Sequence, residues 1–299
     1  MFLHPEMVIP SDGILIRPPS EAESLIFQVT LGCSDNHCSF CPAYKQKSFS
    51  VKPLTIVADE MKAAARFFPQ ARRIFLADGD ALTLETNHLI EILKIAAMRF
   101  PRLRRAGIYG SAKNIEQKTV SELRELKNHK LGIVYIGIES GDETVYRATG
   151  KYGTPSLNVE ACQKLSAAGI TVNATVILGL GGKDHWQDHA LHTAGILNQA
   201  RPDHIAALTL MVEPGTLLYE EMRSGRFVPQ TPFGMVKELS SIIENLEPFS
   251  CQFFANHASN YVPVRARLPH DRNSLLVMLK TIMVNNDAHS LKVESLRGL

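Results

Sequence analysis

The rhythm of hydrophobic and polar positions changes regularly along this chain. SLIFQVTL (Ser24–Leu31) is a short, nearly continuous apolar run of the kind that forms a strand. IVADEMKAAARFF follows, with Val57, Met61, Ala64 and Phe68 at helical spacing on one face. RIFLA (Arg73–Ala77) reads as the next strand, and Leu89, Ile92, Leu93 and Ala96 mark a helix after it. RLRRAGIY (Arg102–Tyr109) reads as a weaker strand and Glu116–Lys127 as a helix. LGIVYIGI (Leu131–Ile138) is a strongly apolar strand. Pro155 then stands where a first helical turn begins, and Gly169 where that helix ends. TVNATVIL (Thr171–Leu178), a helix through His185–Ala200, and HIAALTLMV (His204–Val212) complete the alternation.

Six β/α units in about 190 residues predict a parallel sheet covered by helices. Right-handed crossovers curl such a sheet into a full or partial barrel, with its active site at the C-terminal ends of the strands. The expected fold is α/β, a partial (β/α)6 barrel with a C-terminal α/β extension. The expected divisions are an N-terminal arm (1–23), a core barrel (24–215) and an extension capping the barrel (216–299). The extension carries helical stretches near Met235–Leu246 and Asn273–Val284, with the polar segment CQFFANHASNYVPV (Cys251–Val264) between them.

Composition adds exclusions. The 299 residues are 45% hydrophobic and 21% charged with a net charge of +2, an ordinary globular balance with no Lys/Arg run for a nucleic-acid or membrane surface. The first residues lack a basic region followed by an apolar core, so no signal peptide is read. No apolar run reaches the length of about 18 residues that a membrane span needs.

Cysteine usage changes the picture most. Of five cysteines, Cys33, Cys38 and Cys41 crowd into GCSDNHCSFCPAY (32–44). An odd, clustered set in a long chain points to metal or catalysis in a reducing compartment, here the cytoplasm, rather than to a disulfide framework. Three buried structural thiols are one reading. A zinc site completed by His37 is a second, although His37 and Cys38 are adjacent in sequence. The third is an iron–sulfur cubane with one iron left open for a substrate or cofactor.

The loop resembles the cluster loop of the radical S-adenosylmethionine (radical SAM) superfamily, with Phe40 as the aromatic residue before the last cysteine. That family's usual spacing places three residues between the first two cysteines; here there are four, Ser34–His37. The resemblance extends to later strand ends. After the second strand, Asp78, Gly79 and Asp80 occupy the place of a turn that receives the methionine amino group. Strand four ends GIESGDETVYRATGK, similar to the branch containing oxygen-independent coproporphyrinogen oxidase. In that branch Glu139, and Lys151 twelve residues later, correspond to cofactor contacts. TVILGLGG resembles the segment beside the adenine, with Ile177 on the ring and Thr175 facing the ribose. Met211, in LTLMVEPGT, stands in the stretch whose backbone meets the adenine edge.

The resemblance implies a [4Fe–4S] cluster on Cys33, Cys38 and Cys41, with S-adenosylmethionine chelating the open iron. Reductive cleavage would give a 5′-deoxyadenosyl radical that abstracts hydrogen from a small-molecule or peptidic substrate. It also implies an electron donor such as flavodoxin or ferredoxin. A non-catalytic zinc or iron–sulfur protein, structural or sensory, is the alternative. For the substrate side, FFANHASNYVP (Phe253–Pro263) sets polar groups among aromatics, and Asn256, His257 and Asn260 are the candidates. Tyr44 and Lys45 are also candidates to line the cavity. His185 and His189 share a helical face, but with no third ligand evident they read as a polar helix start.

Overall fold

The computed structural model describes residues 9–13 and 15–298; of the N-terminal arm, residues 1–8 and 14 lie outside the described residues. Its strands are β1 (Leu25–Gln28), β2 (Thr30–Leu31), β3 (Ser50–Val51), β4 (Arg73–Ala77), β5 (Arg105–Gly110), β6 (Leu131–Glu139), β7 (Thr171–Leu178), β8 (His204–Thr209), β9 (Cys251–Ala255) and β10 (Val264–Leu268). The helices are α1 (Leu54–Phe67), α2 (Thr86–Arg99), α3 (Ala112–Glu116), α4 (Val120–Asn128), α5 (Glu143–Ala148), α6 (Pro155–Ala167), α7 (Trp186–Ala200), α8 (Leu217–Arg223), α9 (Pro232–Asn245) and α10 (Arg272–Val284).

The main sheet runs β1-β4-β5-β6-β7-β8-β9-β10, and β2 pairs only with β3. The chain falls into two compact units. The first takes the residues up to Asn36, Ala43–Ile136 and Lys164–Val172; the second takes His37–Pro42, Gly137–Gln163 and the residues from Asn173 onward.

In the first unit β1, β4, β5 and β6 pair in parallel. Register puts Ile26 beside Phe75, Phe75 beside Gly107 and Gly107 beside Ile133. A Cβ on Gly107 would stand 3.1 Å from the Phe75 ring and 3.2 Å from Ile133, so only glycine leaves these side chains in place. Phe75, Tyr109 and Tyr135 meet edge to face, with centroids 4.9 to 6.0 Å apart. Beneath them Glu21 is fully buried and ion-paired to Arg105 at 2.7 Å while accepting from the Tyr135 hydroxyl at 2.6 Å. Helix ends follow their capping residues. Ser111 opens α3 and Thr119 opens α4, each as a reciprocal capping box.

In the second unit β7, β8 and β9 are parallel and β10 turns back antiparallel. Here the fold departs from the sequence pattern. The first five residues of the segment that reads as polar connection are strand: Cys251, Phe253 and Ala255 of β9 are buried on one face. The strand is short and its alternation is set by partly exposed Gln252 and Phe254, so the pattern yields little beside the polar residues that follow. The opening run also divides. Val29 separates β1 from β2, and β2 leaves to pair with β3.

Candidate active site

The cysteine loop passes through both units: Cys33 belongs to the first and Cys38, Phe40 and Cys41 to the second. In the first unit its start is clasped by the turn after β4. Asp80 accepts from the Ser34 amide at 2.9 Å and from the Ser34 hydroxyl. Burial pushes the Asp80 carboxyl up, against the pull of the Ser34 bonds. Asp78 is wholly buried and accepts from the Tyr44 hydroxyl at 2.6 Å and from Gln28 and the Gly32 amide at 3.3 Å. Lys47 stands 3.6 Å from the same carboxylate. Between the two acids, a Cβ on Gly79 would stand 2.7 Å from Cys33 Cβ and 2.9 Å from the Tyr44 ring. The turn therefore closes on Cys33 only because position 79 has no side chain. Asp78, Gly79, Asp80, Tyr44 and Cys33 are thus brought together, with both carboxylates committed to holding the loop. Lys45 is exposed and donates to the Asn36 carbonyl at 3.0 Å.

In the second unit the loop is held by backbone and packing. The Ser39 amide donates to Thr149 O at 2.7 Å and its hydroxyl to Ala148 O at 2.9 Å, while Leu218 N donates to Ser39 O at 2.9 Å. Gly150, at φ +69°, brings its turn so close that a Cβ would lie 3.2 Å from His37 O. Next along that turn, Lys151 donates to Gly137 O at 2.5 Å and to Glu139 Oε1 at 2.6 Å. Glu139 is left-handed at φ +63°. Burial alone would lower the Lys151 ammonium; the Glu139 carboxylate and the Cys38 sulfur outweigh it, and the group is raised. Phe40 packs on the cluster of Val145, Ile177, Leu180 and Leu210. Phe40, Cys38, Glu139, Lys151 and Ile177 therefore lie around one end of the second unit's strands.

Thr175 is half-buried on β7, two residues before Ile177. Met211 lines a cavity of about 250 Å³ with Leu210, Glu213, Met235, Tyr261 and Arg297. Arg297 is held in the lining of that cavity by donating to Leu210 O at 2.9 Å, Ser259 O at 2.6 Å and the Tyr261 hydroxyl at 2.6 Å.

The 256–260 stretch divides. Asn260 is buried, accepts from the Thr209 hydroxyl at 2.8 Å and donates to Ala207 O at 3.0 Å, so its amide staples the segment to β8. His257 Nδ1 accepts from the Ser259 amide at 3.2 Å and lies 2.9 Å from its hydroxyl; burial, then the Lys292 charge, lowers its pKa. Asn256 is exposed.

His189 of α7 corrects the reading of a polar helix start, while His185, just before the helix, fits it. His185 is exposed, but His189 is fully buried and lies 2.7 Å from Glu238 on α9. Glu238 also accepts from the Gly179 amide at 2.9 Å. No local spacing announces this contact, because its partners are 49 and 59 residues apart.

Among the described residues no three His, Cys, Asp or Glu side chains converge on a single metal ion. A cubane places each thiolate on a different iron, so three cysteines on one anchored loop fit a cluster as a donor set. The match to the Radical SAM superfamily model extends over residues 27–194. The chain is a member of the radical SAM superfamily. Its cofactors are accordingly a [4Fe–4S] cluster and S-adenosylmethionine.

The chain is also similar to individual proteins. It is 25% identical over 191 residues to 4′-phospho-dehydrooxetanocin synthase of Priestia megaterium, a match covering 58% of this chain and 26% of that protein. Methylornithine synthase (PylB) shares the fold with a TM-score of 0.54 and 14% identity, over 74% of this chain and 62% of that one. The radical S-adenosylmethionine methyltransferase TsrM of Kitasatospora setae, with cobalamin and a [4Fe–4S] cluster bound, gives a TM-score of 0.55 and 17% identity, over 67% of this chain and 36% of its own. The chain thus spans about a quarter of the curated relative's length. No helix among the described residues is long and apolar enough to cross a membrane.

Proposed function

We propose that this radical SAM protein is an enzyme that cleaves S-adenosylmethionine reductively and acts on a small-molecule or peptidic substrate. One observation carries the reading. The cysteine loop is anchored at the strand ends of the second unit by Ser39 and Phe40, beside the Glu139–Lys151 pair and Ile177. When bound, the cluster and S-adenosylmethionine supply a 5′-deoxyadenosyl radical that removes a hydrogen atom from substrate.

The chain's own residues bind and orient. Cys33, Cys38 and Cys41 would hold the cluster. Lys151, kept cationic by Glu139, would pair with the methionine carboxylate. The turn carrying Gly79 would receive its amino group through backbone, since Asp78 and Asp80 are spent on the loop. Ile177 would pack on the adenine, Thr175 would face the ribose and the Met211 backbone would meet the adenine edge. Asn256 and His257 would serve the substrate side, with Asn260 keeping their segment on β8.

The Glu139–Lys151 pair at its twelve-residue spacing favours kinship with the oxygen-independent coproporphyrinogen oxidase branch. Clustered cysteines of this type favour the reducing cytoplasm. A flavodoxin or ferredoxin would be the electron donor. Weak net charge argues against nucleic acid as a partner.

The test is anaerobic reconstitution with iron and sulfide, addition of S-adenosylmethionine and a strong reductant, and assay of 5′-deoxyadenosine with Cys41→Ser as control. Product in the wild type alone supports the enzyme. A cluster-loaded wild type without product returns the chain to the metal-binding alternative.

A further inference from the structure

Glu238 lies on α9, outside the residues that match the family model. It has no exposed surface, yet it is an acid among Met235, Leu239 and Ile242 on the apolar face of its helix. A carboxylate in such a place is costly unless it is hydrogen-bonded. One of its oxygens, Oε1, takes both bonds the site offers: from the Gly179 amide at 2.9 Å and from His189 Nδ1 at 2.7 Å. Oε2 and His189 Nε2 are buried without partners. The acid is therefore directed at one point, the backbone where β7 ends.

A second contact from the same helix meets the same point. Gly179 is left-handed at φ +88°, and a Cβ there would stand 2.3 Å from Met235 Cε. Two residues before it, Ile177 belongs to the cluster on which Phe40 of the cysteine loop packs. Helix α9 thus holds the end of β7 by a hydrogen bond and by close packing, and α7 braces the acid through His189.

We propose that Glu238 and His189 are positioning residues for the cofactor's nucleoside: they fix the Ile177–Gly179 segment so that it is already shaped before S-adenosylmethionine arrives. This rests on Ile177–Gly179 being the nucleoside segment, as set out above. It makes a helix outside the matched residues part of cofactor recognition. Preorganisation of this kind is worth affinity because the ordering is not repeated on binding.

Equilibrium dialysis on the full, cluster-loaded protein tests it, with three probes: S-adenosylmethionine, 5′-deoxyadenosine and methionine. Glu238→Leu removes the acceptor and should weaken S-adenosylmethionine and 5′-deoxyadenosine about tenfold, the scale of one lost buried hydrogen bond, while leaving methionine unchanged. Glu238→Gln keeps an acceptor for the Gly179 amide and should restore both to within about threefold of wild type. His189→Gln removes only the brace and should show the same selectivity at smaller size; it carries the comparison if the leucine variant does not fold. Equal weakening of all three probes, or a lower melting temperature with nucleoside affinity unchanged, overturns the positioning role. A cluster-loaded wild type that binds methionine but not 5′-deoxyadenosine instead removes the nucleoside segment itself, and the inference falls with it.

Discussion

The two ends of the cysteine loop are held by opposite means. At Cys33 the anchor is electrostatic: Asp80 grips Ser34, and Asp78 gathers Tyr44, Gln28, Gly32 and Lys47 around one buried carboxylate. At Cys38 and Cys41 the anchor is backbone and hydrocarbon: Ser39 bonds to the C-terminal end of α5, and Phe40 lies on Val145, Ile177, Leu180 and Leu210. The difference teaches where charge is available for chemistry. The acids of the first unit look like ligand groups by type and position, but they already accept from Tyr44, Gln28, Gly32 and Ser34. In the second unit Glu139 and Lys151 neutralise each other beside the loop, and an ammonium held charged in this way suits an anionic ligand group.

Removing a charge from either side sharpens the contrast. Asp78→Ala should have the largest effect, because three donors lose one buried acceptor and Lys47 loses its counter-charge. Loss of about 4 kcal/mol in denaturant unfolding is expected, with poor iron incorporation as the second reading. An iron content equal to wild type would show that the first anchor does not shape the loop. Lys151→Met comes next. It strands the Glu139 carboxylate at about 3 kcal/mol in stability, and should weaken S-adenosylmethionine binding while retaining iron. Lys151→Arg should recover stability better than affinity, since the longer fork alters the pairing geometry.

The apolar anchor should yield less. Phe40 is only half-buried, so Phe40→Ala should cost about 2 kcal/mol, below the value for a fully buried ring. Phe40→Leu should recover most of it in the same unfolding titration. The smallest effect is a pH dependence at His257. Burial, then Lys292, lowers its pKa in the fold, so the unfolded chain binds the extra proton first. Stability should therefore fall as pH drops below about 6.5, the ordinary histidine value, and the fall should continue down to the folded pKa. His257→Asn should flatten that slope; an unchanged slope would place the acid sensitivity elsewhere.

Much of this architecture is legible in the sequence. Period and punctuation locate β4 and β7 to the residue and the long helices α1, α2, α6, α7, α9 and α10 to within a few, because buried strands and one-sided helices leave a repeating local trace; the short α3, α5 and α8 leave too little of one. β9 was not readable: a five-residue strand with two half-exposed positions leaves too short a trace beside Asn256, His257 and Ser259. The roles within the turn after β4 were hidden in another way. Residue type shows that Asp78 and Asp80 can meet an ammonium, but only the fold shows that Tyr44 and Ser34 meet them first.

What the sequence determined by itself was chemistry carried on contiguous residues: three thiols and an aromatic on one short loop, and strands alternating with helices. Those features are local, so spacing along the chain is enough to express them. The tertiary structure alone decided which groups remain available. It spent Asp78, Asp80 and Asn260 on the scaffold, paired Glu139 with Lys151, and brought Glu238 to Gly179 across 59 residues of chain. Such choices depend on which donor and acceptor are left together when water is excluded, and that is settled only when distant elements pack.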